Sequence, residues 1–148
     1  MVCDASETGD RIFMQQDRIR VLSADDHKLM REGIAVMIEH EPDLLLVSQA
    51  VNGREAVLQY REHRPDVTLM DMRMPDLDGF EALRAIRAEF PEARIILLTT
   101  FEIDEDIRRA RENGACGCLL KSLPAHHLIQ AIREVHGGKT WVPGQATK

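Results

Sequence analysis

The chain has 148 residues, 44% of them hydrophobic, enough for one core of ordinary size. Its 25 acidic residues outnumber 19 basic ones, for a formal charge of −6, which argues against this segment gripping nucleic acid. No apolar run could span a bilayer, no basic-then-apolar leader is visible, and three cysteines make no paired disulfide framework, so a cytoplasmic domain without a membrane partner is expected.

Residues 1–17 are polar and mixed, without a period, and are expected to form a flexible arm. From Ile19 a pattern repeats: a short apolar run, a turn, then an amphipathic stretch. The first run, Ile19–Ala24, leads into Asp25 and Asp26. Behind it Leu29, Met30, Gly33, Ile34, Met37 and Ile38 share one stripe at helical period. The second run, Leu44–Ala50, holds Leu44-Leu45-Leu46-Val47, apolar without alternation, as a strand covered on both faces reads. Val67–Asp71 ends in a carboxylate, and Phe80, Leu83, Ile86 and Phe90 mark the helix after it. Arg94–Thr99 contains Ile95-Ile96-Leu97-Leu98, again continuously apolar. Next, Asp104, Glu105 and Asp106 precede Arg108, Arg109 and Arg111, an order that suits the helix dipole. It offers Asp104–Arg108 and Glu105–Arg109 pairs on a solvated helix face. Gly117–Lys121 is the last run. Leu128, Ile129, Ile132 and Val135 give the last helix, opened by Pro124 and closed by Gly137 and Gly138. Five strands alternating with five helices predict an α/β fold, a doubly wound parallel sheet with strand order 2-1-3-4-5. The domain is expected over residues 18–138, with 139–148 as a tail or the start of a linker.

In such sheets function gathers where the carboxyl ends of the strands meet. Asp25 and Asp26 stand after the first run, Asp71 ends the third, Thr99 the fourth and Lys121 the fifth. A lone Asp at a strand end is more often a cap or turn residue. Several polar groups delivered to one rim are a different pattern. Three converging acids repel one another unless a cation intervenes, and oxygen donors beside a phosphate favour Mg²⁺ over zinc. Lys121 supplies a mobile point charge for a phosphoryl oxygen, and Thr99 a hydroxyl donor. The chemistry this supports is phosphoryl transfer onto Asp71.

The residues that carry this pattern also carry a resemblance. Val21-Leu22-Ser23-Ala24-Asp25-Asp26-His27, Leu69-Met70-Asp71-Met72-Arg73-Met74-Pro75-Asp76-Leu77-Asp78-Gly79, Ile96-Leu97-Leu98-Thr99-Thr100-Phe101 and Gly114-Ala115-Cys116-Gly117-Cys118-Leu119-Leu120-Lys121 are similar to response-regulator receiver domains. The likeness runs from Ile19 to Gly138, and the Leu-Thr-Thr-Phe segment and Gly-Gly ending resemble the NarL/FixJ-type subfamily. It implies a (βα)5 flavodoxin-like fold, Mg²⁺, a histidine-kinase partner, and a LuxR-type DNA-binding output domain farther along a longer chain, with a homodimer possible on phosphorylation. By the family pattern Asp26, Asp71 and the backbone carbonyl of Arg73 hold the ion, and Asp25 acts through water. Arg73, Thr100 and Phe101 flank the phosphoryl site and tune it. The family commonly places an aromatic three residues before the lysine; Cys118 stands there, so the usual threonine–aromatic coupling cannot operate in its common form. Catalysis would be limited to self-phosphorylation and self-dephosphorylation.

Two other readings compete. A haloacid-dehalogenase-like phosphatase also uses an aspartate nucleophile with Mg²⁺, threonine and lysine, but needs a second acid two residues after the nucleophile, where Arg73 stands. A stand-alone receiver acting by protein–protein contact is the other. Cys116 and Cys118, with His126 and His127 nearby, fall short of zinc spacing and read as packing and surface residues. No Gly-x-Gly-x-x-Gly follows a strand, so a dinucleotide site lacks support.

Overall fold

The computed structural model describes residues 17–141; the expected N-terminal arm, save Asp17, and positions 142–148 of the tail lie outside the described residues. The elements run β1 (Ile19–Ala24), α1 (Lys28–Glu39), β2 (Leu44–Ala50), α2 (Gly53–His63), β3 (Val67–Asp71), α3 (Gly79–Glu89), β4 (Ile95–Thr99), α4 (Asp104–Glu112), β5 (Gly117–Leu120) and α5 (Ala125–His136). The strands form one parallel sheet in the order β2-β1-β3-β4-β5, the doubly wound topology expected.

Consecutive residues of each strand feed opposite faces, which is why the runs are apolar throughout. Val21, Leu69, Ile96, Leu98 and Leu119 meet α1 and α5 through Ile34, Ile38, Leu128, Ile129, Ile132 and Val135. Leu22, Ala24, Met70, Ile95, Leu97 and Cys118 meet α2, α3 and α4 through Ala56, Tyr60, Phe80, Leu83, Ile86 and Ala110. Both faces are covered by helices, and the charged side chains of the sheet's carboxyl edge stand just at or after the strand ends, while the small hydroxyl residues Ser23 and Thr68 are buried within β1 and β3.

Two stretches differ from the sequence expectation. The α1 stripe is narrower than predicted. Ile34 and Ile38 are buried, but Leu29 is 84% exposed and Gly33 is also at the surface. Leu29 is five residues before Ile34, about 140° round the helix, so it cannot face the same sheet. On α4 the predicted pairs do not form: Arg108 pairs with Glu105 and Glu112, and Arg109 lies 4.1 Å above the Phe80 ring. Asp106 is not on the solvated face; it is buried.

Local chemistry fixes the loops that shape the rim. Asp78 and Glu81 form a reciprocal capping box that starts α3. Gly79 then approaches β3 so closely that a Cβ there would stand 2.3 Å from the carbonyl oxygen of Asp71. After α5, Gly138 takes φ 98° and the chain turns back. Trp141 returns to the sheet beyond β5, paired in parallel with Gly117 and buried. Its carbonyl accepts from Cys118 N–H at 2.8 Å and its N–H donates to Cys116 O at 2.9 Å. No helix among the described residues is long and apolar enough to cross a membrane.

Candidate functional site

The sheet's hydrogen bonds carry the strand ends into one rim. Asp25 N–H donates to Ala50 O at 3.0 Å, Met72 N–H to Leu98 O at 2.9 Å, and Lys121 N–H to Thr99 O at 2.8 Å. Asp25, Asp71 and Thr99 are therefore buried at the carboxyl edge, with Lys121 half-buried over them. The ammonium of Lys121 lies 3.1 Å from Asp25 Oδ2 and 3.1 Å from Asp71 Oδ2. Burial opposes that charge, but the two carboxylates outweigh it and raise the lysine's pKa. For Asp71 the balance goes the other way. Burial first, then the charge of Asp25, lift its carboxyl to about 6 against the pull of Lys121.

The acids are short of partners. Asp25 Oδ2 and Asp71 Oδ2 are fully buried and neither finds a hydrogen bond of good direction within the protein. Asp25, Asp26, His27 and Asp71 offer ligand atoms that all lie within 4.8 Å of one another. His27 folds back over this cluster: its N–H donates to Asp25 Oδ1 at 2.9 Å, and Nδ1 lies 3.2 Å from that oxygen and 3.3 Å from Asp26 Oδ1. Unsatisfied buried carboxylate oxygens clustered at this range fit a hard divalent ion such as Mg²⁺.

The remaining predicted residues surround the acids unequally. Thr99 Oγ1 donates to Phe101 O at 2.9 Å and accepts from Phe101 N–H at 3.3 Å, so the hydroxyl is turned toward the β4–α4 loop. Thr100 and Phe101 line the same cleft of about 120 Å³ as Asp71, Thr99 and Lys121, and Phe101 is 67% exposed at its mouth. Arg73 keeps its N–H 3.4 Å from Asp71 Oδ1, but its guanidinium turns away and pairs with Asp106 at 3.0 Å. Cys118 is buried under α4, outside the cleft, and its thiol is pushed up to about 11 by burial and then by Asp106 and Glu102.

Sequence comparison identifies the arrangement. The family model of the response regulator receiver domain matches residues 21–133. The chain belongs to that family. Among solved structures, the signal receiver domain of response regulator NarL from Mycobacterium tuberculosis is 30% identical with a TM-score of 0.80, over 83% of this chain and 99% of that one. A LuxR-family two-component response regulator from Aurantimonas sp. is 34% identical with a TM-score of 0.83, over 88% and 93% of the two chains. The curated relatives include the transcriptional regulatory protein LnrK of Bacillus subtilis, 36% identical over 129 residues, 87% of this chain and 59% of that protein. The oxygen regulatory protein NreC of Staphylococcus aureus is 37% identical over 130 residues, 87% of this chain and 60% of that protein. This chain thus spans about 60% of the length of those relatives.

The receiver domain belongs to the NarL/LuxR branch and is a phosphoacceptor rather than a turnover enzyme. Its Asp–Asp–His–Asp cluster is typical of the divalent-metal site of receiver domains. Two residues of this receiver's rim carry no assigned role in the sequence reading. His27 had a signal, since it follows the acid pair directly. Asp106 had none that separates it from its exposed neighbours Asp104 and Glu105.

Proposed function

We propose that this receiver is a switch of a two-component system, phosphorylated on Asp71 by a histidine kinase. The observation that carries the assignment is the buried Asp71 carboxylate held 3.1 Å from Lys121, in a cluster with Asp25, Asp26 and His27 whose ligand atoms lie within 4.8 Å of one another. Asp26, Asp71 and the backbone carbonyl of Arg73 would hold Mg²⁺, with Asp25 acting through water. When bound, Mg²⁺ offsets the negative charge that gathers on the equatorial phosphoryl oxygens.

One Asp71 oxygen attacks phosphorus in line as the P–N bond of the donor phosphohistidine breaks, and the leaving imidazole nitrogen keeps the electron pair. Lys121 stays with a phosphoryl oxygen. Thr99 must release the Phe101 carbonyl to donate to another. Phe101 and Thr100 border the cleft, where they limit the approach of water to the acyl phosphate.

The relative named as a transcriptional regulatory protein supports a DNA-binding output for the longer protein; homodimerisation on phosphorylation and a cytoplasmic setting belong to the same proposal. Incubation with Mg²⁺ and acetyl phosphate tests the assignment by mass spectrometry. One added phosphate is expected on the wild type and none on Asp71→Asn; a wild type that takes none overturns the reading.

A further inference from the structure

Besides the Thr99–Phe101 hydrogen bonds, a second contact links the surroundings of Asp71 to α4. It is an ion pair. Arg73, two residues beyond Asp71, donates from Nη2 to Asp106 Oδ2 at 3.0 Å, joining the β3–α3 loop to the first turn of α4. The two ends are unequal: the Arg73 side chain is 71% exposed, while that of Asp106 is 11% exposed. Both residues line the cleft that holds Asp71, Thr99 and Lys121.

The helix at the far end is lightly held. It is the shortest of the five, nine residues, and Ile103 at its N-cap provides no side-chain hydrogen bond. Only Asp106 and Ala110 of α4 are buried. A buried carboxylate that loses its partner is costly in a way an exposed one is not. The Arg73–Asp106 pair therefore joins the packing of Ile107 and Ala110 and the Arg109–Phe80 contact in holding this turn.

We infer that Arg73 and Asp106 form a latch that phosphorylation of Asp71 opens; this rests on the phosphoacceptor reading above. A phosphoryl group on Asp71 adds negative charge and several acceptor oxygens to the cleft. Lys121 is already shared between Asp25 and Asp71, and Arg73 is a further cation lining the same cleft. Its planar fork matches phosphoryl oxygens and its exposed stem is free to swing. As the guanidinium transfers, Asp106 is left buried and unpaired, and the first turn of α4 loosens. Arg73 acts here as a positioning residue for α4.

Hydrogen exchange over α4 reads the latch directly. Wild type, Arg73→Ala, the near-isosteric Asp106→Asn and the double variant are compared with and without saturating beryllofluoride and Mg²⁺, a phosphoryl mimic. In the wild type, beryllofluoride is expected to speed exchange of the α4 amides from Ile107 to Ala110, which bond back to the first turn and its cap, by about tenfold, the size of coupling that one shared pair supports. Each single variant starts at the fast rate without the mimic and responds about twofold or less, and the double variant matches the singles. Acetyl phosphate labelling of each protein is scored in parallel. A full α4 response in Asp106→Asn or Arg73→Ala, or unchanged basal exchange in both, overturns the latch while labelling of Asp71 persists. A wild type that accepts no phosphate overturns the phosphoacceptor reading and the latch together.

Discussion

At the scale of single residues, the rim is a charge problem in which Lys121 is the cation set between the two buried carboxylates. Lys121 stands 3.1 Å from oxygens of both Asp25 and Asp71. Removing it leaves two buried carboxylates facing each other. Lys121→Met is expected to destabilise the metal-free protein by about 2–4 kcal/mol, near the range for breaking a buried pair. Saturating Mg²⁺ should restore much of that loss, because a divalent ion meets the same need. Urea denaturation of both proteins, with and without Mg²⁺, measures it; an equal loss in the two conditions would count against the shared role. This part of the site was legible in the sequence because each group ends a strand. The Arg73–Asp106 pair was not. It joins positions 33 residues apart, and it depends on how α4 leans on a loop, which no helical period encodes.

At the scale of elements, close approach matters more than propensity. Ala is a better helix former than Gly, yet Gly79→Ala would set a Cβ 2.3 Å from the Asp71 carbonyl. The strand end that presents Asp71 must move. A loss of about 1–3 kcal/mol is expected, as for overpacking in a tight site, together with slower labelling by acetyl phosphate. Thermal denaturation and a labelling time course check both halves. A second tie holds α5 to the start of β2: Arg133 Nε and Nη2 donate to the Asp43 carboxylate, both at 2.8 Å. The hydrogen bond from Arg133 holds Asp43 below its ordinary value of 3.8, outweighing the effect of burial. Stability from this pair is thus present in full above pH 3.8 and drains away as pH falls through the lower folded value. Arg133→Gln should cost about 1 kcal/mol at pH 7 and progressively less toward pH 2, which pH-resolved denaturation would register. The strands and three of the helices, α1, α3 and α5, were readable from apolar runs and periods, and α4 from its order of charges. Leu29 was misplaced because two adjacent leucine-sized residues, Leu29 and Met30, both satisfy a loose stripe and only the sheet chooses between them.

At the scale of the whole molecule, continuous apolar strands dictated a parallel sheet covered on both sides, and the order β2-β1-β3-β4-β5 places β1, β3, β4 and β5 side by side. That adjacency alone brings Asp25, Asp71, Thr99 and Lys121 within reach of one another. What local pattern does not signal is the return of the chain after Gly138. Trp141 follows a turn and a polar pair, yet it enters the sheet and is buried.

That return also shields an edge. Strand β5 is one of the two edges of the sheet, β2 being the other, and an open edge offers unpaired N–H and C=O groups to any passing strand. Trp141 occupies the segment around Gly117 with two backbone hydrogen bonds, in the place an intruding chain would take. A protein shortened to end at Lys139 should therefore stick to itself. Light scattering against concentration is expected to show growing aggregates for the shortened form and none for the intact chain. The last described residue thus closes the β5 edge to strands from neighbouring molecules.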